Sequence, residues 1–280
     1  MSLECRSEHR CFGGRMSFHA HRSKATGTEM RFSVFLPPQA EAARRPALYW
    51  LAGLTCTEET FMIKAGAQRL AAEHGLILVA PDTSPRGTGI PGEDDDWDFG
   101  SGAGFYLDAT AEPWARHYRM AQYITQELPA LVESAFPVLP GQRGIFGHSM
   151  GGHGALVTAL RNPAQWRSVS AFAPISNPIA VPWGQKAFGN YLGPDQTEWA
   201  SWDASALMRR RPYPGRILVD QGLADQFLAR ELHPEALEKA AAASGQDLLL
   251  RRQEGYDHSY WFIQSFMADH IAHHASHLVG

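Results

Sequence analysis

Apolar stretches recur along the chain at intervals typical of alternating strands and helices. Six of them predict strands: MRFSVFLP (30–37), PALYWLAG (46–53), LILVAPD (76–82), RGIFGH (143–148), RILVDQG (216–222) and DLLLRRQ (247–253). The first alternates apolar and polar positions, which predicts an antiparallel strand in a half-solvated hairpin at the sheet edge. The middle stretches are nearly continuous in Leu, Ile, Val and Ala, as in strands buried on both faces.

Helical periodicity occupies the stretches between these predicted strands. In IKAGAQRLAAEHG the apolar and small positions, beginning at Ile63, follow the helical period, and Gly75 provides a C-terminal stop. RMAQYITQELPALVESAF (119–136) predicts a helix interrupted at Pro129, and HPEALEKAAAASG predicts one that ends at Gly245. Strands alternating with helices indicate an α/β fold with a mostly parallel sheet covered on both faces. Because no repeat or linker appears, we expect one domain spanning residues 1–280.

The composition excludes several functional classes. Hydrophobic residues make up 44% and charged residues 19% of the chain, which is ordinary for a soluble globular protein. The net charge of -4 is mild, and no run of Lys or Arg resembles a footprint for nucleic acid or anionic membranes. No apolar run approaches the roughly 20 residues of a membrane helix. We therefore expect neither nucleic acid nor a membrane as a partner.

Cysteine usage and the N-terminal sequence bear on the compartment. Only Cys5, Cys11 and Cys56 occur, and such an odd, sparse set argues against a secreted disulfide framework. The N-terminal stretch MSLECRSEHRCFGG lacks the apolar region of a signal peptide. These features predict a cytoplasmic protein.

The stretch GHSMG (147–151) lies between a predicted strand and a helical pattern. It matches G-x-S-x-G, the nucleophile elbow, in which a serine occupies a sharp strand-to-helix turn. Glycines flank the serine because the turn leaves no room for side chains, and Gly152 extends the close approach of helix to strand. The helix N-terminus directs N–H groups toward Ser149, where they favour developing negative charge. A glycine turn without chemistry has the same pattern, so a nucleophilic Ser149 requires partners elsewhere.

Those partners are found downstream in the expected order. A serine nucleophile needs a base and an acid that orients it, and in this kind of sheet they follow as Asp/Glu and then His, each after a strand. Asp225 lies on the loop after RILVDQG, whereas the alternative Asp220 lies within that strand and is better explained as a structural hydrogen-bond acceptor. His258 lies on the loop after DLLLRRQ, just before the last helix. We predict Ser149, Asp225 and His258 as a catalytic triad.

The same chemistry requires two backbone N–H donors for an oxyanion. One donor is the residue after the nucleophile, Met150. The other belongs on the loop after an early strand, and YWLAG ends its strand at Gly53. We predict the N–H groups of Leu54 and Met150 as the oxyanion hole.

Longer blocks around these residues resemble one family. They are YWLAGLTCTEETFMIKAGAQ, PDTSPRG, WDFGSGAGFYLDAT, GHSMGGHGAL, DQGLADQFL and GYDHSYWFI. Together they resemble the S-formylglutathione hydrolases of the esterase D family, from about residue 11 to near the C-terminus. The resemblance implies a three-layer α/β-hydrolase fold with antiparallel N-terminal strands and a minimal cap. It places the family's triad on Ser149, Asp225 and His258 and its oxyanion donors on Leu54 and Met150.

The resemblance also implies an activity. It is the hydrolysis of S-formylglutathione to formate and glutathione in formaldehyde detoxification, through a formyl-enzyme intermediate and without a metal or organic cofactor. The partner is then a small-molecule substrate, and a homodimer is expected because family members are often dimers. Two alternatives stay open: a broad-specificity carboxylesterase acting on short-chain acyl esters, and a catalytically silent binding protein on a hydrolase scaffold. The triad argues against the second.

Two further residues are candidates for the substrate pocket. Cys56 lies two residues after Leu54 and could be a redox-sensitive thiol at the rim of the site. Because it lacks a base of its own, we predict instead that it forms a wall of the acyl pocket. Trp97 is predicted to line the same pocket, or else to be a loop aromatic packed on the body.

Other motifs are interpreted as structural. The acidic residues of EDDDWD (93–98) lack EF-hand spacing, which indicates a solvated turn. GSGAGF (100–105) has no preceding strand, so it is no dinucleotide fingerprint. Histidines spaced four apart in the last helix could hold a metal, but no HExxH pattern occurs; they are His270, His273, His274 and His277. His233 lies on the wrong loop for a base, and His148 and His153 are expected to be structural hydrogen-bond partners.

Overall fold

In the computed structural model of the chain, residues 3–279 are described and form a nine-stranded mixed sheet with helices packed around it. The strands are β1 (Glu4–Cys11), β2 (Gly14–Arg22), β3 (Glu29–Leu36), β4 (Arg45–Leu51), β5 (Ile77–Pro81), β6 (Val138–His148), β7 (Ser168–Phe172), β8 (Ile217–Gly222) and β9 (Leu248–Gln253). The helices are α1 (Glu58–Lys64), α2 (Ala67–His74), α3 (Met120–Gln122), α4 (Leu128–Ala135), α5 (Met150–Arg161), α6 (Pro182–Tyr191), α7 (Gln196–Trp199), α8 (Ala204–Arg210), α9 (Pro234–Ser244) and α10 (Tyr260–Leu278).

The strand order is β1-β2-β3-β5-β4-β6-β7-β8-β9. The β1–β2, β2–β3 and β3–β5 pairs are antiparallel, and every pair from β5–β4 to β8–β9 is parallel. The predicted fold class, an α/β-hydrolase fold with antiparallel N-terminal strands before a mostly parallel sheet, is therefore confirmed.

The prediction that MRFSVFLP forms an edge strand is wrong. It becomes β3, which lies between β2 and β5 and is buried along most of its length. The strands outside it, β1 and β2, carry many charged and histidine residues, so their apolar pattern is too weak to indicate a strand. The exposed edge is β1 instead. The prediction also missed β7, whose short sequence SVSAF offers few large apolar residues.

Two helix predictions need correction and one is confirmed. The stretch from Ile63 to Gly75 contains a break, because Gly66 adopts a left-handed conformation (φ 66°) between α1 and α2. The helical stretch from Met120 to Ala135 is not interrupted at Pro129. Its irregularity is a π-helical turn at Tyr123–Glu127, after which proline is accepted near the start of α4. The helix α9 ends before Gly245 as predicted.

Packing beneath the central strands sets two loops side by side. Trp50 of β4 stacks on Phe61 of α1, with ring centroids 4.3 Å apart, and Phe146 of β6 packs edge-on to Trp50 at 4.7 Å. In the parallel β4–β6 register Leu51 lies opposite Gly147. Because the carboxyl ends of parallel strands share one edge of a sheet, the loop after β4 comes next to the turn after β6.

Candidate active site

Ser149 occupies the turn between β6 and α5 in a conformation that side chains rarely adopt. Its backbone has φ 58° and ψ −121°, a region that costs about 1–3 kcal/mol and persists only where the surroundings enforce it. A Cβ at Gly147 or Gly151 would collide with the carbonyl oxygen of Leu51. The flanking glycines are therefore required by the neighbouring strand. The Ser149 N–H donates to the Phe172 carbonyl at 3.0 Å, which fixes the turn from the other side.

Asp225 and His258 meet although 33 residues separate them in sequence. The Nδ1–H of His258 donates to Oδ2 of Asp225 at 2.5 Å. The other carboxylate oxygen, Oδ1, accepts from the backbone N–H of Phe227 at 2.8 Å, and Gln221 donates to Oδ2 at 3.3 Å. These bonds leave the carboxylate one orientation, so Nδ1 of His258 carries the proton and Nε2 is free to accept one.

Ser149 and His258 line one cavity of about 140 Å³. Within residues 3–279 no hydrogen bond joins Ser149 Oγ to the His258 ring, whose free nitrogen is left available. Contacts between nucleophile and base are often loose before substrate binds and tighten in the reacting complex. The structure thus brings the three predicted triad residues to one site, with the Asp–His contact formed.

The predicted oxyanion donors lie on adjoining segments. Met150 is the first residue of α5, where an N–H has no partner within the helix. Outside regular helices and strands, the backbone N–H of Leu54 makes no hydrogen bond to any described residue, whereas the next residue, Thr55, donates to the Gly102 carbonyl at 2.9 Å. A Cβ built at Gly53 would lie 3.3 Å from the Cβ of Ser149, so the two segments are in direct proximity.

The segment that supports the Leu54 loop escaped the sequence prediction. Gly102, at φ 78°, packs so closely that a Cβ there would lie 3.1 Å from Cα of Thr55. Tyr106, itself at φ 54°, donates its hydroxyl proton to the Ala52 carbonyl at 2.8 Å. The stretch GSGAGF and the following Tyr106 thus support the candidate oxyanion loop, and we call residues 100–106 its brace. Its glycines were the available signal, since they mark positive φ and close backbone approach.

The cavity wall contains both predicted pocket residues and several aromatic ones that sequence reasoning missed. Cys56 is half-buried in it, and Trp97 is at its rim, with 58% of its surface exposed and its ring edge-on to Trp183 at 5.7 Å. Burial raises the pKa of the Cys56 thiol, which keeps it protonated. The missed residues share no motif in sequence; they are Trp183, Phe227 and Tyr260.

His148, the residue before the nucleophile, also lines the cavity. Its ring centroid is 4.3 Å from that of His258, and its buried Nε2 has no hydrogen-bond partner among the described residues. Burial, and next the nearby His258, hold the pKa of His148 well below its usual range. A neutral ring therefore lies beside the base. Both ring nitrogens of His153 are also buried and form no hydrogen bond of ordinary geometry within the described chain. The hydrogen-bonding role expected for His148 and His153 therefore stays a prediction.

Asp220, the alternative to Asp225, and His270, one of the other downstream histidines, form hydrogen bonds within the core. Asp220 accepts from Arg251 Nε at 2.7 Å and from Gln253 Nε2 at 2.9 Å, as a structural acceptor would. Burial alone would raise the pKa of Asp220, but hydrogen bonds from His270 and Arg251 outweigh it and lower the pKa to about 2. No group of three or more potential metal ligands occurs in the part of the chain that the structure describes.

The acidic turn divides into two kinds of residue. Glu93 is buried and accepts from the Thr88 and Ile90 N–H groups, whereas Asp94, Asp95 and Asp96 are exposed.

None of the helices between residues 3 and 279 has the length and apolarity needed to cross a membrane.

Comparison with known proteins agrees with this geometry. A family model described as "Putative esterase" matches residues 23–273. The chain is 55% identical to the S-formylglutathione hydrolase of Mus musculus over 282 aligned residues, with 99% of each chain covered. It is 53% identical to that of Paracoccus denitrificans, again with 99% of each chain covered.

A solved structure of an S-formylglutathione hydrolase from Agrobacterium tumefaciens superposes with a TM-score of 0.96. Its sequence identity is 45%, and the match covers 98% of this chain and 99% of that one. The resemblance inferred from the sequence blocks is thereby confirmed. The chain belongs to the S-formylglutathione hydrolases of the esterase family.

Proposed function

We propose that the protein is a serine thioesterase that hydrolyses S-formylglutathione to formate and glutathione. Ser149 is the nucleophile, His258 the general base and acid, and Asp225 the residue that orients the base. The single observation that carries the assignment is the His258–Asp225 hydrogen bond in a cavity that also contains the strained Ser149. The named relatives supply the substrate, and their similarity extends over nearly the whole chain.

Acylation begins when Ser149 Oγ attacks the formyl carbonyl carbon and His258 Nε2 takes the hydroxyl proton. The carbonyl oxygen becomes an oxyanion, which the N–H groups of Leu54 and Met150 hold. Asp225 keeps the proton on Nδ1 and stabilises the imidazolium that forms. Collapse of the tetrahedral intermediate breaks the carbon–sulfur bond and leaves a formyl ester on Ser149.

The leaving group makes the first step easier than the hydrolysis of an alkyl ester. A thiol with a pKa of about 8.5 leaves as a thiolate with little need of protonation in the transition state. The departed thiolate then takes the proton from His258 Nε2, which makes the base neutral again before the second half. In the second half a water attacks the formyl ester while His258 Nε2 accepts its proton, and formate departs as Ser149 recovers its hydrogen. Both halves use the same oxyanion donors, and neither requires a metal or an organic cofactor.

A second activity, hydrolysis of short-chain acyl esters, is supported by the size of the cavity. Its volume of about 140 Å³ exceeds what a formyl group fills, because a single water takes up about 30 Å³. An acetyl or similar small acyl group fits beside Cys56 and Tyr260 in that space. Hydrolysis of small esters is therefore expected in addition to the thioester reaction.

Steady-state kinetics with both substrates test the assignment. We expect kcat/KM for S-formylglutathione to exceed that for p-nitrophenyl acetate by at least about a hundredfold, since binding energy from the remote tripeptide contributes only with the thioester. A kcat/KM for the thioester that is equal to or below that for the ester would make the protein a general carboxylesterase. The purified full chain suffices for both assays.

Three features of the whole protein belong to the same proposal. We assign it to the cytoplasm, which the three free cysteines Cys5, Cys11 and Cys56 support. We assign residues 1–280 to a single catalytic domain, which the one continuous sheet supports. We assign a homodimer, by analogy with the family. Sedimentation or light scattering of the purified protein measures the last of these.

A further inference from the structure

A groove of about 340 Å³ adjoins the catalytic cavity and contains charged side chains that the steps above do not use. The two spaces share three aromatic residues, Trp97, Trp183 and Phe227, which form the wall between them. Trp183 contacts both of the others, with ring centroids 5.7 Å from Trp97 and 4.8 Å from Phe227. A molecule held in the groove therefore lies just beyond the aromatic wall of the reacting centre.

The groove lies on the side of the catalytic base. The Phe227 ring packs edge-on to the His258 ring at 5.0 Å, and its backbone N–H is bound to Asp225. In acyl transfer by a serine, the departing group faces the histidine, because the histidine exchanges a proton with it. The acyl group and its oxyanion face Leu54 and Met150. The leaving group is thus directed past Phe227 toward the groove.

Two cationic side chains in the groove have N–H donors that are not used in hydrogen bonds to the described residues. The Arg230 side chain is 77% exposed, lies 3.3 Å from Glu231 through Nε, and donates no hydrogen bond to any residue that the structure describes. Lys186 Nζ binds Asp98 at 2.5 Å and Asp96 at 2.9 Å, which leaves one of its three N–H donors free. Partial burial lowers the pKa of Lys186, but these two bonds outweigh it and raise the pKa, so the ammonium stays charged.

The anionic residues of the groove have structural partners. Glu231 accepts from the backbone N–H of Trp183 at 3.0 Å, at the first turn of α6, and so fixes the tryptophan that separates the two spaces. Asp98 holds Lys186 in place. The groove consequently offers one cation held in place, Lys186, one exposed cation, Arg230, and an acidic neighbour. This pattern suits a ligand with two carboxylates and one ammonium.

We propose that this groove binds the charged ends of the γ-glutamyl-cysteinyl-glycine leaving group, with Arg230 and Lys186 binding its two carboxylates. The inference rests on the proposed function for its substrate. Arg230 can bind a carboxylate in a bidentate manner, whereas Lys186 contributes a single donor. Asp98 is the acceptor for the ammonium. Selectivity for glutathione thioesters over neutral esters then comes from this groove, and the cavity around Ser149 accepts any small acyl group.

The test compares Arg230→Met with Arg210→Met, which removes an exposed arginine at the end of α8 outside both spaces. We expect Arg230→Met to raise KM for S-formylglutathione about fivefold, as loss of one exposed charge contact does, with kcat nearly unchanged. The kcat/KM for p-nitrophenyl acetate should stay within twofold of wild type, and Arg210→Met should change neither substrate. Equal effects on both substrates, or no effect on the thioester, would overturn the inference.

Lys186→Met is expected to raise KM for the thioester by a similar factor. Its removal leaves Asp96 and Asp98 without their cation, so its thermal unfolding must be measured beside its activity. If this variant unfolds, Arg230→Met decides alone, because a side chain so exposed has little effect on folding.

A second experiment tests binding in the groove independently of the proposed thioester hydrolysis. S-methylglutathione, which cannot be hydrolysed at sulfur, should inhibit p-nitrophenyl acetate hydrolysis competitively, and Arg230→Met should raise its inhibition constant about fivefold. S-methylcysteine, which lacks the glycyl carboxylate and the γ-glutamyl group, should not inhibit at the same concentration. If wild type failed to cleave the thioester but showed this inhibition, the proposed reaction would be wrong and the groove assignment would stand. Absence of inhibition by S-methylglutathione at millimolar concentration contradicts the groove assignment.

Discussion

Two groupings of serine, histidine and aspartate lie in this protein, one in the cavity and one in the core. The cavity triad comprises Ser149, His258 and Asp225; the core chain comprises Ser170, His270 and Asp220. The two aspartates are on the same strand and its following loop, and both histidines are in or next to the last helix. Both groupings therefore contain the same residue types in the same chain order, so type and order alone do not tell them apart.

By hydrogen bonds, the core chain is the more complete of the two. The Ser170 hydroxyl is 2.8 Å from His270 Nδ1, and His270 Nε2–H donates to Asp220 at 3.1 Å. His274 lies 2.8 Å from the same hydroxyl and extends the chain toward Ser168, 2.7 Å from its other ring nitrogen. Every polar atom has a partner, and the residues are fully buried. The core chain therefore acts as structural support between α10 and β7.

The cavity triad differs in what surrounds it. Ser149 has a strained backbone and lines an open space. On the adjoining segments, the N–H groups of Leu54 and Met150 donate to none of the described residues. Ser170 lies in regular β7, where its backbone groups are used by neighbouring strands. The comparison teaches that access, strain and free backbone donors distinguish the proposed catalytic grouping from the structural one. A complete set of hydrogen bonds does not.

The largest expected effect separates the two serines. Ser149→Ala should lower kcat by at least about 10⁴-fold, because no nucleophile remains. Ser170→Ala should leave kcat/KM within about threefold of wild type. It should lower the free energy of unfolding by about 3 kcal/mol, because it leaves two buried histidine nitrogens without a hydrogen-bond partner. Kinetics with p-nitrophenyl acetate and denaturant unfolding of both variants measure the contrast. If Ser170→Ala lost activity while folded, the core chain would be part of the mechanism.

The aspartates give the second contrast. Asp225→Asn should lower kcat by about 10⁴-fold, because the amide no longer holds the His258 tautomer that accepts a proton at Nε2. Asp220→Asn should lower stability by about 3–5 kcal/mol, since Arg251 is left without its buried carboxylate. The two variants differ by the same single atom exchange, so each controls for the other. A loss of activity larger in Asp220→Asn than in Asp225→Asn, with both folded, would reverse the assignment.

A third experiment moves the oxyanion loop without touching the triad. Gly102→Ala should push Thr55 and the adjacent Leu54 N–H away from the oxyanion and lower kcat about tenfold, less than full loss of a donor would. The control is Gly89→Ala, whose φ of 77° is nearly the same as the 78° of Gly102 but which has open space around its Cβ. Both should lose similar stability from the left-handed alanine. A fall in kcat shared by both variants would exclude the brace.

The last contrast concerns acidity and the core chain. Burial lowers the pKa of His270 and His274, and it lowers that of the adjoining His273 to about 4. In the unfolded chain these groups titrate near 6.5. Their folded pKa is depressed, so their stabilisation is complete above about pH 6.5 and is lost as the pH falls toward 4.

We therefore expect the free energy of unfolding to fall below pH 6.5 by up to about 1.4 kcal/mol per pH unit for each neutral histidine. Carboxyl groups whose pKa is raised by burial offset part of this decline, because the folded state takes up a proton there as the pH falls. They are Asp203, whose pKa is raised to about 6, and Glu58, Asp108 and Glu231. Denaturant unfolding at pH 7, 6 and 5 measures the net decline. A free energy that is flat or rising over this range would show that these histidines are protonated in the fold.

Sequence reasoning reached those features in which local pattern and chain order carry the information. Asp225, His258 and the elbow could be predicted, because strand ends locate them and the chemistry fixes their order. Six of the nine described strands were predicted, whereas β1 and β2 are too polar and β7 is too short for a recognisable pattern. The brace at Gly102 and the wall at Trp183 could not be predicted. Their roles depend on contacts between segments whose distance in the fold no periodicity encodes.

The histidines of α10 have a mechanical consequence for the base. His258 lies just before this helix, which begins at Tyr260 and is pinned to β7 through His270 and His274. The proposed base therefore directly precedes a helix whose second half is held to the sheet by these two histidines. A truncation into α10, or a bulky fusion against it, is therefore expected to displace the His258 imidazole. The last helix of the described chain thus holds the proposed catalytic base in position.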